Sequence, residues 1–536
     1  MLSFLSWDGP DSTTLPLRPS TISFPWPGFV SLPSRFRVPF SAVSSPRTRD
    51  LLILFSILAL AAALRFWRLG LQPLWLDEAT SASFASRPFW DCIFAEVQHP
   101  PLFNALLHFV LSSFGSSDFV LRIPSALFGV ASVAALWVLA RRLFSSMPAV
   151  APVAASLAAV SPFLIYYSQE CRSYSLFILL SLLSMLAFLR FCRGAANHPP
   201  GSSTWLALHT FLSALLLYTH YFSLLILLAQ EIFYWRFIRL RPRAWLLSRL
   251  ITAAAFAPWI FWLLTHLILE PREWLGSPWL RIPYALFRYL DGYGIAAPDL
   301  VRLSTPVSQL LREEAAAVLL TLAPLLWLLF RGARRIARDP EHRTLFAALL
   351  LLPFLPLLLL SPWLKFVHER YLAFQAPFIL LLIALGLVTL PRRRRLLATL
   401  ACAASISFSL AAYFAAPATV LGYEFRFGKE DWRAATSFVA SQQPGLVLLA
   451  PAYLELPFSR YWDSSLPAPL LAIPEGSGSL PDLGSARRVV LVLSHSGPAE
   501  DRLRLALDVR GHLTSEKFLP RSAGIRIFVY TLRDSR

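Results

Sequence analysis

The sequence predicts an α-helical polytopic membrane protein with a small α/β domain at its C-terminal end. Composition is the first observation behind this. Of 536 residues, 56% are hydrophobic and only 15% charged, and the mean hydropathy is +0.56. Soluble domains run roughly 45–50% apolar and about 25% charged. A soluble enzyme, a disordered chain and a disulfide scaffold are thereby excluded. The second observation is apolar runs of about 15–22 residues, mostly enough to cross a ~30 Å hydrocarbon layer. The third is their disappearance beyond about residue 417, where short strand-like and helix-like patterns take over.

Residues 1–50 are rich in Pro and Ser and lack a helical period, so they read as a mostly disordered cytoplasmic leader or an over-extended start site. Apolar spans follow at 51–67, 122–140, 148–166, 173–191, 204–218, 221–235, 246–267, 313–330, 344–361, 371–390 and 395–415. These make about eleven in a membrane domain over 51–416. The first loop, 68–121, carries two amphipathic stretches, 89–97 and 101–114, that suit juxtamembrane helices better than spans.

Charge tests this choice. With the N-terminus inside and 101–114 not spanning, each strong basic cluster falls on the cytoplasmic side: Arg141/Arg142, Arg190/Arg193, Arg236 to Arg243, Arg331 to Arg338 and Arg392 to Arg395. Counting 101–114 as a span would put every later cluster outside. The net charge of +18 is therefore mostly orientation signal and does not point to nucleic acid.

The C-terminal segment, 417–536, reads as an extracytoplasmic α/β domain. Strands are expected at Val447–Ala450, Arg488–Ser494 and Ile525–Leu532, and helices at Arg433–Ser441 and Ala499–Val509. Neither GxxxxGK[ST] nor a GxGxxG following a strand occurs, so an enzyme working outside the cytoplasm needs another activated donor. Four scattered cysteines show no CxxC pair; Cys92 with Cys171 is the one bridge the spacing leaves open.

On this topology the unusual polar groups converge on the outer face. Asp77 and Glu78 follow the first span, and His99 lies further along the same loop. Glu170, Arg172 and Tyr174 join the third and fourth spans. His220 and Tyr221 join the fifth and sixth. Lys365, His368, Glu369, Arg370 and Tyr371 join the ninth and tenth. Ionisable groups at membrane depth default to functional hypotheses. Asp77 with Glu78 suits a general base; a helix N-cap at Asp77 is the structural reading, and the two are compatible. Glu170 and Arg172 either pair with each other or meet substrate. His99 is either loop geometry or a substrate contact, and His220 either belongs to an aromatic belt or touches substrate. Arg172, Lys365 and Arg370 are cations on the face where positive charge is scarce, as an anionic ligand requires; lipid headgroups are the competing explanation. Arg65, Arg68 and Arg122 share that ambiguity.

The order of motifs carries a resemblance. WLDEA (75–79), HPPLFNALLHFVLSSFG (99–115), DFVLRIPSALFGVASVAALWVLARRLF (118–144), SPFLIYYSQECRSYSL (161–176), YTHYF (218–222) and HERYLAFQAPF (368–378) resemble the bacterial family 39 glycosyltransferases. These are relatives of protein O-mannosyltransferases and of lipid A aminoarabinose and galacturonic acid transferases. GKEDWRAATSFVA (428–440) is similar to the segment opening their outer domain. The resemblance implies the C-type glycosyltransferase fold, with a polyprenyl-phosphate sugar as donor and a hydroxyl of an envelope acceptor as recipient. Transfer would occur with inversion at the outer face of the bacterial cytoplasmic membrane. It implies Asp77 as catalytic base with Glu78 beside it; given that donor, the charge and placement of Arg172, Lys365 and Arg370 assign them to its phosphate. His99, Glu170, Tyr174, His220, Tyr221, His368, Glu369 and Tyr371 are left to the substrates. No nucleotide or other cofactor is implied. A divalent metal ion stays open, because oligosaccharyltransferase relatives bind one while protein mannosyltransferases work without. Sugar, acceptor and oligomeric state are not legible. Two rivals remain: a transporter or lipid flippase, disfavoured by the lack of repeats and by polar clusters that sit at span ends rather than centres, and a non-catalytic envelope scaffold, disfavoured by the acidic pair.

Overall fold

The computed structural model describes residues 48–197, 202–266, 278–292, 315–360, 368–415, 418–420, 423–425, 429–495, 497–519 and 524–533. Chain contacts divide the protein into Met1–Leu51 and Leu52–Arg536. Of the first unit only the opening turn of a helix is described. The second holds the helices, the sheet and the polar clusters treated below.

Each expected span coincides with a helix or a helix pair. They are α1 (Thr48–Phe66), α5 (Asp118–Leu143), α6 (Val150–Val160) with α7 (Pro162–Ser168), α8 (Tyr174–Asn197), α9 (Ser202–Leu217), α10 (Ser223–Phe233), α11 (Pro242–His266), α13 (Ala315–Ile336), α14 (Pro340–Leu350) with α15 (Phe354–Leu360), α16 (Gln375–Val388) and α17 (Arg392–Ala415). Among the described residues, five helices are long and apolar enough to cross a membrane, or six if a bent pair counts as one span. Several of the expected eleven are therefore shorter than a full crossing. The first loop folds as α2 (Leu76–Ala85), α3 (Phe89–Ile93) and α4 (Leu102–Phe114), so both stretches expected to be non-spanning are short helices. A further helix, α12 (Pro278–Asp291), was not expected, because its apolar residues are interleaved with Arg281, Arg288 and Asp291.

The run 148–166, expected as one span, is broken: α6 and α7 meet at 57°. Pro162 cannot continue the hydrogen-bond ladder of α6, and the Ser161 hydroxyl accepts from the Leu164 amide (3.3 Å) to start α7. The break strands carbonyls at the end of α6, which must be satisfied inside a membrane. Arg65, buried at the end of α1, supplies the donors: Nη2 to Ala158 O (3.0 Å) and Nη1 to Ala159 O (2.9 Å). Gln169 does the same for α1, its Nε2 donating to Leu64 O (3.3 Å), Arg65 O (3.1 Å) and Trp67 O (2.9 Å). Arg65 thus fixes how the chain leaves α7 towards residues 169–173.

Helices α13 and α16 meet at backbone contact. A Cβ placed on Gly332 would lie 1.9 Å from Leu382 O, and one on Gly386 would lie 2.1 Å from Leu328 O. Small residues allow such approach where no hydrophobic drive separates helix from lipid. Gly386→Val is expected to destabilise the fold by about 1–3 kcal/mol. A lowered thermal midpoint in detergent would register it; an unchanged midpoint would contradict the close crossing.

The C-terminal region forms a five-stranded sheet of order β4-β3-β5-β7-β6, preceded by a two-stranded hairpin, β1 (Ala418–Val420) with β2 (Tyr423–Phe425). Strands β3 (Leu446–Ala450), β4 (Leu470–Ala472) and β5 (Arg488–Leu493) are parallel. Strand β7 (Ile525–Leu532) runs antiparallel to β5 and to β6 (Gly511–Leu519). The uninterrupted apolar runs of β3 and β5 reflect burial on both faces. Trp432, Ala435 and Val439 of α18 (Trp432–Ser441) pack on one face, and Leu503 and Leu507 of α19 (Pro498–Arg510) on the other. Sequence patterning finds the buried strands but not β6, a largely exposed edge strand, nor β4, only three residues long. All four cysteines are free and buried, so Cys92 and Cys171 form no bridge.

Candidate active site

The adjacent acids of the first loop separate into two environments. Helix α2 begins at Leu76 with Trp75 as its N-cap, and no side chain caps it, so Asp77 is not the expected N-cap. Successive helical residues point about 100° apart, and Asp77 and Glu78 reach different partners.

Asp77 keeps 24% of its side chain exposed and accepts a charge-assisted hydrogen bond from Arg370 Nη1 (2.8 Å). Its backbone carbonyl accepts from Arg172 Nη1 (3.3 Å), which also donates to Ser81 Oγ (2.7 Å). Arg172 Nη2 reaches His99 Nε2 (3.2 Å) and approaches Glu96 Oε1 (3.8 Å), while His99 Nδ1 meets Glu96 Oε1 at 2.6 Å. Burial pushes the Asp77 carboxyl up, but Arg370, then Arg172 and His99, outweigh it, so Asp77 sits below the ordinary value and is ionised. Burial likewise raises Glu96, yet His99 and Arg172 bring it down to about 2.

Glu78 is fully buried and fully engaged. Its Oε1 accepts from Arg122 Nε (2.8 Å) and from the Cys171 amide (2.7 Å). Its Oε2 accepts from Arg122 Nη2 (2.7 Å) and from Lys429 Nζ (2.8 Å). Arg122 in turn donates to Leu69 O (2.9 Å), Gln72 O (2.7 Å) and Pro73 O (3.0 Å), locking the approach to α2. Burial opposes the charge on Glu78, but Arg122 and Lys429 hold its carboxyl at about 2. The ambiguity at Arg122 resolves here: it meets a protein carboxylate.

Glu170 and Arg172 do not pair. Arg172 turns to the first loop, and Glu170 is buried beside the Tyr166 hydroxyl. Burial above all pushes Glu170 up to about 7, against the pull of Lys429 and with Glu78 adding to the rise.

The loop before α16 brings Arg370 to Asp77. His368 caps a 3₁₀ turn, Glu369–Leu372, its Nδ1 accepting from the Arg370 amide (3.3 Å). Glu369 points inward towards His368 (3.0 Å), and its carbonyl accepts from the Tyr289 hydroxyl of α12 (3.0 Å). Helix α12 therefore holds the turn that presents Arg370. The Arg370 guanidinium lies 5.5 Å from the Tyr371 ring and 6.0 Å from the Tyr174 ring, both buried. Lys365 lies outside the described residues.

His220 is buried and stacks on Phe177 (4.8 Å, 12°), with His99 6.0 Å away. Burial holds it well below the ordinary histidine value, hence neutral. The Tyr221 hydroxyl donates to Val97 O (2.8 Å) and accepts from Trp259 Nε1 (3.1 Å), tying the first loop to α11. Thus Asp77, Glu78, His99, Glu170, Arg172, Tyr174, His220 and Arg370 converge, while His368, Glu369 and Tyr221 shape the loops around them.

Sequence reasoning missed Glu96, Ser81 and Lys429. Glu96 stands three residues before His99, a spacing that permits an ion pair. Lys429 lies 351 residues from Glu78 and carries no local signal. A cavity of about 330 Å³ adjoins this brace, lined by Arg68, Gln72, Arg122, Gln169, Lys429 and Asp431 among others. The donor set does not fit a divalent metal ion. Asp77, Glu78 and Glu96 are each engaged by cationic side chains or His99, and no three His, Cys, Asp or Glu side chains converge as ligands among the described residues.

Comparison with known proteins places this arrangement. Residues 98–262 match the family model for dolichyl-phosphate-mannose-protein mannosyltransferase. ArnT of Cupriavidus metallidurans, solved with undecaprenyl phosphate bound, superposes with a TM-score of 0.51 at 14% identity over 90% of this chain and 98% of its own. Its apo state gives a TM-score of 0.52 at 13% identity over the same shares. The chain carries the C-type glycosyltransferase fold. The oligosaccharyltransferase of Archaeoglobus fulgidus is similar too, with a TM-score of 0.50 at 13% identity, covering 79% of this chain and 64% of its own. No curated protein matches the sequence. The resemblance drawn from the motifs therefore holds, and within the C-type fold the charged cluster lies where the first loop meets the ends of several helices.

Proposed function

We propose that the protein is a membrane glycosyltransferase that moves a sugar from a polyprenyl-phosphate donor to a hydroxyl of an envelope acceptor. The reaction takes place with inversion at the outer face of the cytoplasmic membrane. The observation carrying this reading is a partly exposed, ionised Asp77 held against Arg370, with Arg172 donating to its backbone carbonyl. One carboxylate paired with a guanidinium, and a second guanidinium on the same residue's backbone, suit a reaction in which a base and a leaving phosphate must lie side by side. The C-type fold and the mannosyltransferase family match support the donor class.

In this mechanism Asp77 takes the proton of the acceptor hydroxyl as its oxygen attacks the anomeric carbon. The bond from that carbon to the phosphate oxygen breaks, and the phosphate leaves with the electron pair. Arg370, with Arg172 behind it, stabilises that charge, and fixed donors of this kind are worth about 10²–10³ in rate. The donor phosphate competes with Asp77 for Arg370. Its arrival loosens the ion pair and lifts the carboxyl towards a proton-accepting range. Glu78 acts as the brace that fixes α2, and Glu170 faces the substrates from residues 169–173.

Membranes incubated with a panel of radiolabelled polyprenyl-phosphate sugars test the reading; label moving from no donor to any acceptor would overturn it. Arg370→Ala is expected to weaken donor binding more than acceptor binding and to lower kcat/KM about 10²–10³-fold. Unchanged donor affinity would remove Arg370 from the phosphate site.

A further inference from the structure

The C-terminal α/β region is joined to the carboxylate cluster by a buried cation. Lys429 precedes α18, is 4% exposed, and donates from Nζ to Glu78 Oε2 (2.8 Å) and to Gln169 O (3.1 Å). One ammonium thus bridges α2, which carries Asp77, and residues 169–173, which carry Arg172. The neighbours of Lys429 anchor it from the sheet side. Glu430, buried, meets His495 Nε2 (2.7 Å) and Trp432 Nε1 (3.2 Å). Asp118, at the start of α5, is gripped by Arg433, by Arg460 Nη2 (2.7 Å) and by the Tyr461 hydroxyl (2.6 Å). That same Tyr461 oxygen accepts from the Leu74 amide (2.7 Å), two residues before α2.

We propose that Lys429 is a positioning residue for the transfer reaction, making the C-terminal region part of the active-site framework. Its ammonium ties Glu78 to the Gln169 carbonyl, so that Asp77 and Arg172 keep their register. The proposal rests on the reaction assigned above.

The placement has a physical reason. Glu78 and Glu170 are two buried acids, and Arg122 reaches only Glu78 among them by hydrogen bond. A buried charge without compensation is strongly destabilising, and Lys429 is the cation acting on both. The charged and titratable groups acting on Glu170 are Glu78 and Asp77 of α2, Lys429, Tyr166 of α7 and Tyr413 of α17. Loss of Lys429 removes the positive charge that opposes the rise of the Glu170 carboxyl.

The test is Lys429→Met in the full chain, with Glu78→Gln and the double variant. Expected are a kcat lowered about 10- to 100-fold, the scale of a reacting group misplaced by about 1 Å, and a donor KM within about threefold of wild type. The two substitutions should be strongly non-additive, because Lys429 acts through Glu78. Amide hydrogen exchange over 76–85 and 169–173 should quicken at least about tenfold in Lys429→Met. Wild-type kcat in that variant, or additive effects, would overturn the positioning role while leaving the reaction assigned. A wild-type chain that transfers no sugar would overturn the reaction instead. Exchange then decides the structural bridge by itself, and unchanged exchange in Lys429→Met would overturn it.

Discussion

Asp77→Asn is expected to abolish sugar transfer, lowering kcat by about 10³-fold or more, within the range of a lost general base. Asparagine keeps the shape and can still accept from Arg370, but it cannot take a proton. The partly exposed position of Asp77 makes the variant mild for the fold: among the described residues its side chain hydrogen-bonds Arg370. Expression, detergent monodispersity and thermal midpoint should therefore stay near wild type. The measurement is transfer of label from a polyprenyl-phosphate sugar with equal amounts of folded protein. Turnover at the wild-type rate would sink the assignment of Asp77 as base.

Arg122→Ala is expected to act one residue over and in the opposite manner, on the fold before the chemistry. It removes both hydrogen bonds that Arg122 makes to Glu78, leaving a carboxylate with no exposed surface to Lys429 and one backbone amide. It also frees the carbonyls of Leu69, Gln72 and Pro73. Breaking a buried ion pair by removing one partner costs about 3–5 kcal/mol. The expected result is a steep loss of folded protein or a large fall in thermal midpoint, read by fluorescence-detected size exclusion. Glu78→Gln should be milder, because an amide oxygen can still accept from Arg122 and no charge is stranded. Equal stability of Arg122→Ala and wild type would contradict the brace. Asp77→Asn folded but inactive and Arg122→Ala poorly folded would separate the two acids of one dipeptide by role.

Much of the fold was legible because a membrane imposes long apolar runs that survive in the sequence unaltered. That the first loop holds short helices was legible through length: α4, at 13 residues, is too short for a full crossing. The bend between α6 and α7 was not legible, since Pro162 can start a helix or kink one. What decides is Arg65, from another helix, which satisfies the carbonyls the break exposes. Helix α12 escaped notice because an amphipathic helix packed among others has no uniform run to detect. In the sheet, β3 and β5 stood out as doubly buried apolar strands, whereas the polar edge strand β6 did not.

The site divides the same way. The residue types were visible as outliers: acids and cations at the ends of apolar runs. Their pairing was not. Sequence proximity suggested Glu170 with Arg172 and Asp77 with Glu78. The structure instead joins Arg172 to the first loop, Asp77 to Arg370, 293 residues away, and Glu78 to Arg122 and Lys429.

By itself, then, the sequence determined the membrane class, the family likeness and the set of candidate groups. These depend on composition and on order along the chain, which need no partner. Only the tertiary structure decided which carboxylate is exposed and which is locked, and that the C-terminal region supplies a buried cation to the cluster. The physical reason is that the charge state and reach of a buried acid are set by the groups within a few ångströms of it. In this fold those groups arrive from helices and loops hundreds of residues apart.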